Sequence, residues 1–378
     1  MPTFAALEPF LPWLLPLPAL IALTLSVFNL IFWPRGRTGF TKTTSVSVCI
    51  PARNEQLGIE ACVTAALALG ADEVIVLDDG SSDDTPAILQ RLAHGRAELR
   101  IVRLDAALPA GWVGKARACW LLSSLAHGEH LLFLDADVVV DKDALGRFDE
   151  LRRRYRADVI SAVPRQLTST FMERLVLPLL HLTYTSWLPL PLIWRTKNRR
   201  FLAANGQMLW IARDALVDVG GFKAIRGEIV DDMALGRVMK QAGKRVLFVD
   251  GDDLGACRMY RSAQGVIDGF SKNLYEGLGS LPALALVVGW YAWAFVAPYA
   301  LLPVLPVPAV AGIVAALALR LLHAWRHHSS VVSAVLNPVG VLVLMWIAVR
   351  SWWWSRKGEI VWAGRVYSAR KGRMAQPG

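Results

Sequence analysis

Two carboxylates two residues apart close an apolar run in Leu131-Leu132-Phe133-Leu134-Asp135-Ala136-Asp137. Hard oxygen donors of this kind suit Mg2+ or Mn2+, which bind through one or two carboxylates and a substrate's phosphates. A cation so placed neutralises a departing diphosphate. A second acidic group, Asp78-Asp79-Gly80-Ser81-Ser82-Asp83-Asp84-Thr85, comes directly after the apolar run 74–77. Its carboxylates suit a base N–H or a ribose hydroxyl, although a turn and helix cap account for part of the motif. The third group is Asp231-Asp232 within Gly227-Glu228-Ile229-Val230-Asp231-Asp232-Met233-Ala234-Leu235-Gly236. It reads either as a well-capped helix start or as a general base taking the proton from an acceptor hydroxyl. Two basic features, Lys115 in Gly111-Trp112-Val113-Gly114-Lys115 and the pair Arg258 and Arg261, could clamp a pyrophosphate. For Arg261 a snorkelling cation at a membrane surface is the competing reading.

These groups need elements to bring them together. Strand-like stretches at 46–50, 73–77, 99–104 and 130–134 alternate with helical ones at 56–69, 85–93 and 115–125. Another helical stretch opens near Asp231 and ends near Gly243. This is the order of an α/β domain, whose sheet binds ligands at the carboxyl ends of its strands. The first two acidic groups stand at such ends.

The rest of the chain is unlike a soluble enzyme. Of 378 residues 54% are hydrophobic and only 19% charged, which excludes a purely soluble protein and a disordered tail. The run 11–33 is long enough to cross a ~30 Å hydrocarbon core as an uncleaved anchor, with a signal peptide as the alternative. Arg35, Arg37 and Lys42 just beyond the run place the next part of the chain in the cytoplasm. Residues 277–319 read as a helical hairpin broken at the proline-rich 302–308. The run 331–349 is either a third span or a re-entrant element broken at Asn337-Pro338. Residues 175–194 read as an interfacial segment.

The expected organisation is therefore an anchor at 1–40, a cytoplasmic domain at 41–276 with its interfacial segment near 171–195, membrane helices at 277–354 and a basic tail at 355–378. The protein is expected to be multi-pass in the inner (plasma) membrane. The charge of +10, from 41 basic and 31 acidic residues, then favours lipid headgroups and a nucleotide diphosphate over nucleic acid. Four cysteines without CxxC spacing imply neither a metal knuckle nor a disulfide framework.

With Ile50-Pro51-Ala52-Arg53-Asn54-Glu55 added, the motifs across residues 45–276 resemble, in this order, the family 2 glycosyltransferases of GT-A fold. Within that family Gly111 to Lys115, Arg258-Met259-Tyr260, Gly269-Phe270-Ser271-Lys272 and the tail Val361-Trp362-Ala363-Gly364-Arg365-Val366-Tyr367 resemble the membrane-bound enzymes of bacterial carotenoid glycosylation. Hopanoid-associated members are similar in the catalytic region. The resemblance implies a GT-A domain flanked by N- and C-terminal transmembrane helices, and inverting transfer from a nucleoside-diphosphate sugar, most often UDP-glucose. It places Asp79 on the base, Asp137 on metal and ribose, Asp135 on donor sugar or metal, and Asp232 at the acceptor. Pro51, Arg53, Glu55 and Lys115 would line the donor nucleotide, and Arg258, Arg261 and Lys272 the pyrophosphate or acceptor side.

The QxxRW signature of processive members is absent, so non-processive transfer to a membrane lipid is expected. In carotenoic-acid glucosyltransferases the second position of the Asp231-Asp232 pair is not acidic. Here it is, and a hydroxyl acceptor, unlike an ionised carboxylate, needs a base. A polyisoprenoid such as a carotenoid is the expected acceptor. The alternatives are undecaprenyl phosphate, diacylglycerol or a hopanoid, or a non-catalytic nucleotide-sugar-binding scaffold.

Overall fold

The structure, a computed structural model, describes residues 8–357, 360–362, 365–368 and 373–374. These fall into two compact units, neither contiguous in sequence. One comprises Trp33–Leu167, Leu190–Met259 and the described part of Arg356–Gly378; the other comprises the helix ending at Phe32, Thr168–Pro189 and Tyr260–Ser355.

The first unit is built on eight strands: β1 (Val46–Ala52), β2 (Glu73–Asp78), β3 (Leu99–Arg103), β4 (His130–Leu134), β5 (Val138–Val140), β6 (Val159–Gln166), β7 (Met208–Ala212) and β8 (Val246–Cys257). They form one sheet in the order β3-β2-β1-β4-β7-β6-β8-β5. The first four pair in parallel, β7 runs antiparallel to both β4 and β6, and β5 antiparallel to β8.

Alternation along each strand sends side chains to opposite faces, and both faces are covered. Val46, Val48 and Ile50 of β1, with Leu132 and Leu134 of β4, pack under helices Ile59–Leu67 and Ala144–Tyr155. Cys49, Leu131 and Phe133 face helices Gly114–Leu125 and Asp231–Gln241. This is why β4 reads as an unbroken apolar run and not as an alternating one. Trp210 of β7 is fully buried between Phe148, at 5.6 Å between ring centroids, and His130, at 5.3 Å.

The expected strands and helices of this unit form within a few residues of the places read from the sequence. The helix expected from residue 56 begins at Ile59, because the chain ahead of it is still turning out of β1. The C-terminal segment adds a separate three-stranded antiparallel sheet of β9 (Ile360–Trp362), β10 (Arg365–Ser368) and β11 (Arg373–Met374). Arg370 and Lys371 of the basic tail lie outside the described residues.

In the helical unit the expected continuous run 11–33 is divided. A 3-10 turn spans Glu8–Leu14, and the α-helix occupies only Leu17–Phe32, 16 residues or about 24 Å at ~1.5 Å per residue. Pro12 and Pro16 lie ahead of the helix and supply no N–H, while Pro18 sits in its first turn, where no intrahelical donor is needed, and the ladder opens with the Leu20 N–H donating to the Pro16 carbonyl at 3.0 Å. Helices Leu281–Phe295 and Pro306–Arg326 pack on one another through Tyr291, Phe295, Ala315 and Leu319, with the proline-rich break between them. The run 331–349 is interrupted at Leu336, giving Val331–Val335 and Asn337–Lys357.

Residues 260–276, grouped with the sheet by sequence, belong to the helical unit. Val266 and Phe270 of helix Ala263–Leu278 pack on Leu175, Val176 and Ile347 there. The segment 175–194 forms three short helices rather than one long one, parted by Pro178 and Pro189. Among the described residues one helix, Pro306–Arg326, is by itself long and apolar enough to cross a membrane. The pair Ala263–Leu278 and Leu281–Phe295 passes the same test together but bends by 116°.

Candidate active site

Parallel pairing of β1 with β2 sets Ala52 beside Asp78, and pairing with β4 sets Cys49 beside Phe133. The segments that leave these strands at Arg53, Asp79 and Asp135 therefore emerge along one edge of the sheet, where the strand order turns back. Pro51 lies within β1, opposite Leu77. Because β7 is antiparallel to β4, its entry, Asn205-Gly206-Gln207, reaches the same edge, and the Asp135 N–H donates to the Gln207 carbonyl at 3.0 Å.

The two loops after β1 and β2 hold each other. Arg53 Nη1 donates to the carbonyls of Asp79 and Gly80, the latter at 3.1 Å. Asn54, in the left-handed region at φ 57°, donates its N–H to Ser81 Oγ and accepts at Oδ1 from the Ser82 N–H, both at 2.9 Å. The Glu55 N–H donates to Thr85 Oγ1 at 2.8 Å. Asp78 accepts from the Ser81 N–H at 2.9 Å and Asp83 from the Thr85 N–H at 3.0 Å, so these two carboxylates build the turn. Asp79 instead makes a two-pronged pair with Arg365 of β10, Nη1 to Oδ2 and Nη2 to Oδ1, the second at 3.2 Å.

The acidic pairs at 135–137 and 231–232 meet through one lysine. Lys115 lies in the first turn of Gly114–Leu125, and its Nζ is 2.6 Å from Asp135 Oδ1 and 3.9 Å from Asp231 Oδ2. Asp231 and Asp232 open helix Asp231–Gln241, whose positive end favours them, and Asp232 Oδ1 accepts from the Met233 N–H at 2.6 Å. The lysine is positioned by the loop before it. Its Leu108 and Val113 pack with Ala116, Trp112 and Ile229, the Val113 N–H donates to the Arg226 carbonyl at 2.7 Å, and Arg117 Nη1 donates to the carbonyls of Ala106 and Ala107.

Five carboxylates, those of Glu55, Asp135, Asp137, Asp231 and Asp232, share this region with Lys115. Burial pulls the ammonium of Lys115 down, but Asp135 and Asp231 outweigh it and hold it well above its ordinary value. Burial and then Asp137 and Asp135 push Glu55 up to about 8. Burial and Asp135 push Asp137 up to about 6, against the hydrogen bond from Cys257. Burial and Asp231 push Asp232 up to about 7. Such raised values mark a site short of positive charge. Asp137 Oδ1 is buried with no hydrogen-bond partner, so an all-oxygen donor set with an orphaned acceptor fits a hard divalent cation.

Arg258 directly follows β8, and its N–H donates to the Asp137 carbonyl at 3.4 Å. Arg261 and Lys272 belong to the helical unit, Arg261 exposed ahead of helix Ala263–Leu278 and Lys272 within it. All four cysteines are free and buried.

Three neighbours of this site carry no charge and give no chemical signal in the sequence. A Cβ on Gly206 would stand 3.3 Å from Lys115 Nζ and 3.4 Å from Asp232 Cβ, so Gly206 borders both. A Cβ on Gly58 would stand 2.9 Å from the Ala136 carbonyl oxygen and 3.2 Å from Asp137 Cα, so the turn that carries Asp137 rests on this glycine. Gln207 donates from Nε2 to Cys257 Sγ at 2.8 Å. Arg365 stands out in the sequence only as part of a tail motif, which assigns it no role.

The model of glycosyl transferase family 2 matches residues 47–231. The chain is 26% identical over 268 residues to the 4,4'-diaponeurosporenoate glycosyltransferase of Staphylococcus haemolyticus, covering 69% of each chain. It is 26% identical over 254 residues to the enzyme of the same name from Staphylococcus aureus strain MRSA252, covering 65% of each chain, just under two thirds of that relative's length. Among solved structures it is similar to the mannosyltransferase PcManGT of Pyrobaculum calidifontis, determined in complex with GDP-Man and Mn2+. The TM-score is 0.54 at 20% identity, over 90% of this chain and 99% of that one, a likeness of fold. A mixed α/β sheet of GT-A type, acidic groups at its strand ends and a match of residues 47–231, just under half of the chain, to the model of glycosyl transferase family 2 lead to one assignment: the chain is a glycosyltransferase.

Proposed function

We infer that this glycosyltransferase moves a hexose, glucose from UDP-glucose in the leading reading, to a hydroxyl of a membrane polyisoprenoid such as a carotenoid, in a non-processive transfer. The observation that carries this reading is the position of Lys115, in contact with Asp135 and within ion-pair distance of Asp231. Donor-side and acceptor-side carboxylates thereby share one pocket. The names of the relatives support a carotenoid-type acceptor, and the acidic Asp232 supports a hydroxyl on it.

Asp135 and Asp137 would hold the divalent cation, Mg2+ or Mn2+. When bound, it neutralises charge on the leaving diphosphate. Lys115 adds a second positive charge beside the same oxygens. Asp232, pushed up to about 7, is poised near neutral pH to accept the acceptor hydroxyl's proton as that oxygen attacks the anomeric carbon. Attack from the face opposite the diphosphate breaks the sugar–phosphate C–O bond, sends its electrons to the leaving group and inverts the carbon. Asp79 and Arg53 would bind the nucleoside, and Glu55, close enough to feel the charge of Asp137 and Asp135, would line the donor beside them.

In the same reading the helical unit is embedded in the inner membrane as a multi-pass element with the catalytic unit in the cytoplasm. Its surface supports this: Leu286, Val304, Val307, Val310, Val314, Trp325 and Trp346 are exposed, Trp325 at 76%. The test is incubation of membranes containing the protein with labelled UDP-glucose and extracted polyisoprenoid lipids. A labelled glycolipid that disappears with Asp232→Asn supports the reading. Transfer only to undecaprenyl phosphate or diacylglycerol, or no transfer at all, overturns it.

A further inference from the structure

The C-terminal sheet delivers a cation to the nucleoside end of the site. Arg365 and Asp79 are separated by 286 positions in sequence, yet their side chains form a two-pronged guanidinium–carboxylate pair. In that pair the Arg365 side chain is 14% exposed and that of Asp79 only 4%. Arg53 closes the opposite side of the turn through the carbonyls of Asp79 and Gly80.

This geometry has three consequences. First, Asp79 has almost no accessible surface while Arg365 is in place, so a nucleobase N–H or ribose hydroxyl cannot reach it until the guanidinium moves. Second, a displaced guanidinium that was largely desolvated needs another anion, because a largely buried unpaired charge is costly. Third, the ligand that displaces it brings one: a diphosphate, although tetrahedral at phosphorus, offers a guanidinium two adjacent oxygens as a carboxylate does, with more negative charge.

We propose that Arg365 is a donor-binding residue supplied by the C-terminal strand, which rests on Asp79 in the donor-free protein and transfers to the diphosphate of the nucleotide sugar on binding. The proposal rests on the reading of Asp79 as part of the nucleotide site. Arg365 then raises the affinity for diphosphates and lowers it for the bare nucleoside, with which it competes for Asp79. A merely structural strap would change both affinities in the same direction.

The experiment uses the full chain in detergent and two pairs of probes, UDP with uridine and GDP with guanosine. Calorimetry measures the diphosphates and ligand-observed NMR the nucleosides. For the pair that binds, Arg365→Ala is expected to tighten nucleoside binding several-fold and weaken diphosphate binding by roughly 10- to 100-fold, the range of a charge-assisted two-pronged contact. Arg365→Lys, which keeps the charge but not the fork, should fall between. Melting curves of each variant exclude loss of fold as the cause. If Asp79→Asn weakens the nucleoside but Arg365→Ala leaves both probes unchanged, or weakens both equally, the exchange is wrong while the nucleotide site stands. If neither diphosphate binds the parent protein, or Asp79→Asn has no effect on the nucleoside, the site reading itself fails and the exchange with it.

Discussion

Lys115 Nζ lies 2.6 Å from Asp135 Oδ1, a contact that ties the first turn of a helix to the end of the strand across the sheet edge from it. With Asp231 3.9 Å away on the other side, one ammonium neutralises parts of two acidic groups separated by nearly a hundred residues. Lys115→Met removes that charge and leaves Asp135 and Asp231 facing each other. The expected result is a fall in kcat/KM for the donor of at least ~100-fold, the scale of losing one preorganised electrostatic partner. Steady-state transfer of labelled sugar measures it.

Asp232 must be ionised to act as a base, and it is pushed up to about 7. The value of kcat/KM, which reports the free enzyme, should therefore rise about tenfold per pH unit below that value and level off above it. Asp232→Asn should lower kcat by roughly 10²- to 10⁴-fold with little change in donor KM, and abolish this limb of the profile. A profile that is flat between pH 5 and 7 would remove Asp232 from the base role.

The same group makes a prediction about stability with a defined sign. Its folded value lies above its ordinary 3.8, so the native state binds the proton more tightly than the unfolded chain. The contribution is fully present below about pH 4 and is lost as pH rises through about 7. Asp232→Asn, uncharged throughout, should thus gain in Tm relative to the parent between pH 4 and 7 and hold that gain above. Thermal melts at pH 4.5, 6 and 8 test the trend, and a variant that loses Tm at pH 8 contradicts it.

Gly206 borders both Lys115 and Asp232, and these neighbours are side chains able to move by a few tenths of an ångström. Gly206→Ala should leave the melting temperature within a few degrees while reducing turnover about 10- to 100-fold, because misplacement by less than 1 Å at a reacting centre is costly. Gly58→Ala differs, since the added carbon meets the backbone of Ala136 at 2.9 Å and cannot be accommodated without moving the turn. It should raise the concentration of Mn2+ or Mg2+ needed for half-maximal activity by an order of magnitude. Activity titrated with each cation after chelator treatment reads this directly.

Trp210→Ala serves as the control for stability alone. Its ring is fully buried against Phe148 and His130, away from the acidic groups, and truncation should cost about 3–5 kcal/mol. Denaturant unfolding of the solubilised protein should show the loss, and activity per folded molecule should be preserved.

Periodicity and strand-end chemistry make much of the catalytic unit readable from sequence. The run 130–134 and the helix 85–93 form at the residues expected, because buried apolar strands and proline-capped amphipathic helices are local patterns. The acidic groups are readable because paired carboxylates directly after apolar strands stand out locally, although Asp78 and Asp83 turn out to build their own turn. The anchor is less readable. Hydropathy counts Pro12 and Pro16 as tolerable, while the backbone cannot donate at them, and the helix shortens to Leu17–Phe32.

By itself the amino-acid order determined which residues could bind a cation, a nucleoside or a proton, and which elements would carry them. Only the tertiary structure decided that Lys115 serves two acidic groups, that Gly206 and Gly58 make room for them, and that Arg365 seals Asp79. The reason is range. Helix and strand patterns are set by neighbours within a few residues, whereas these contacts depend on strand order, on the antiparallel entry of β7 and on a C-terminal strand that pairs 286 positions upstream.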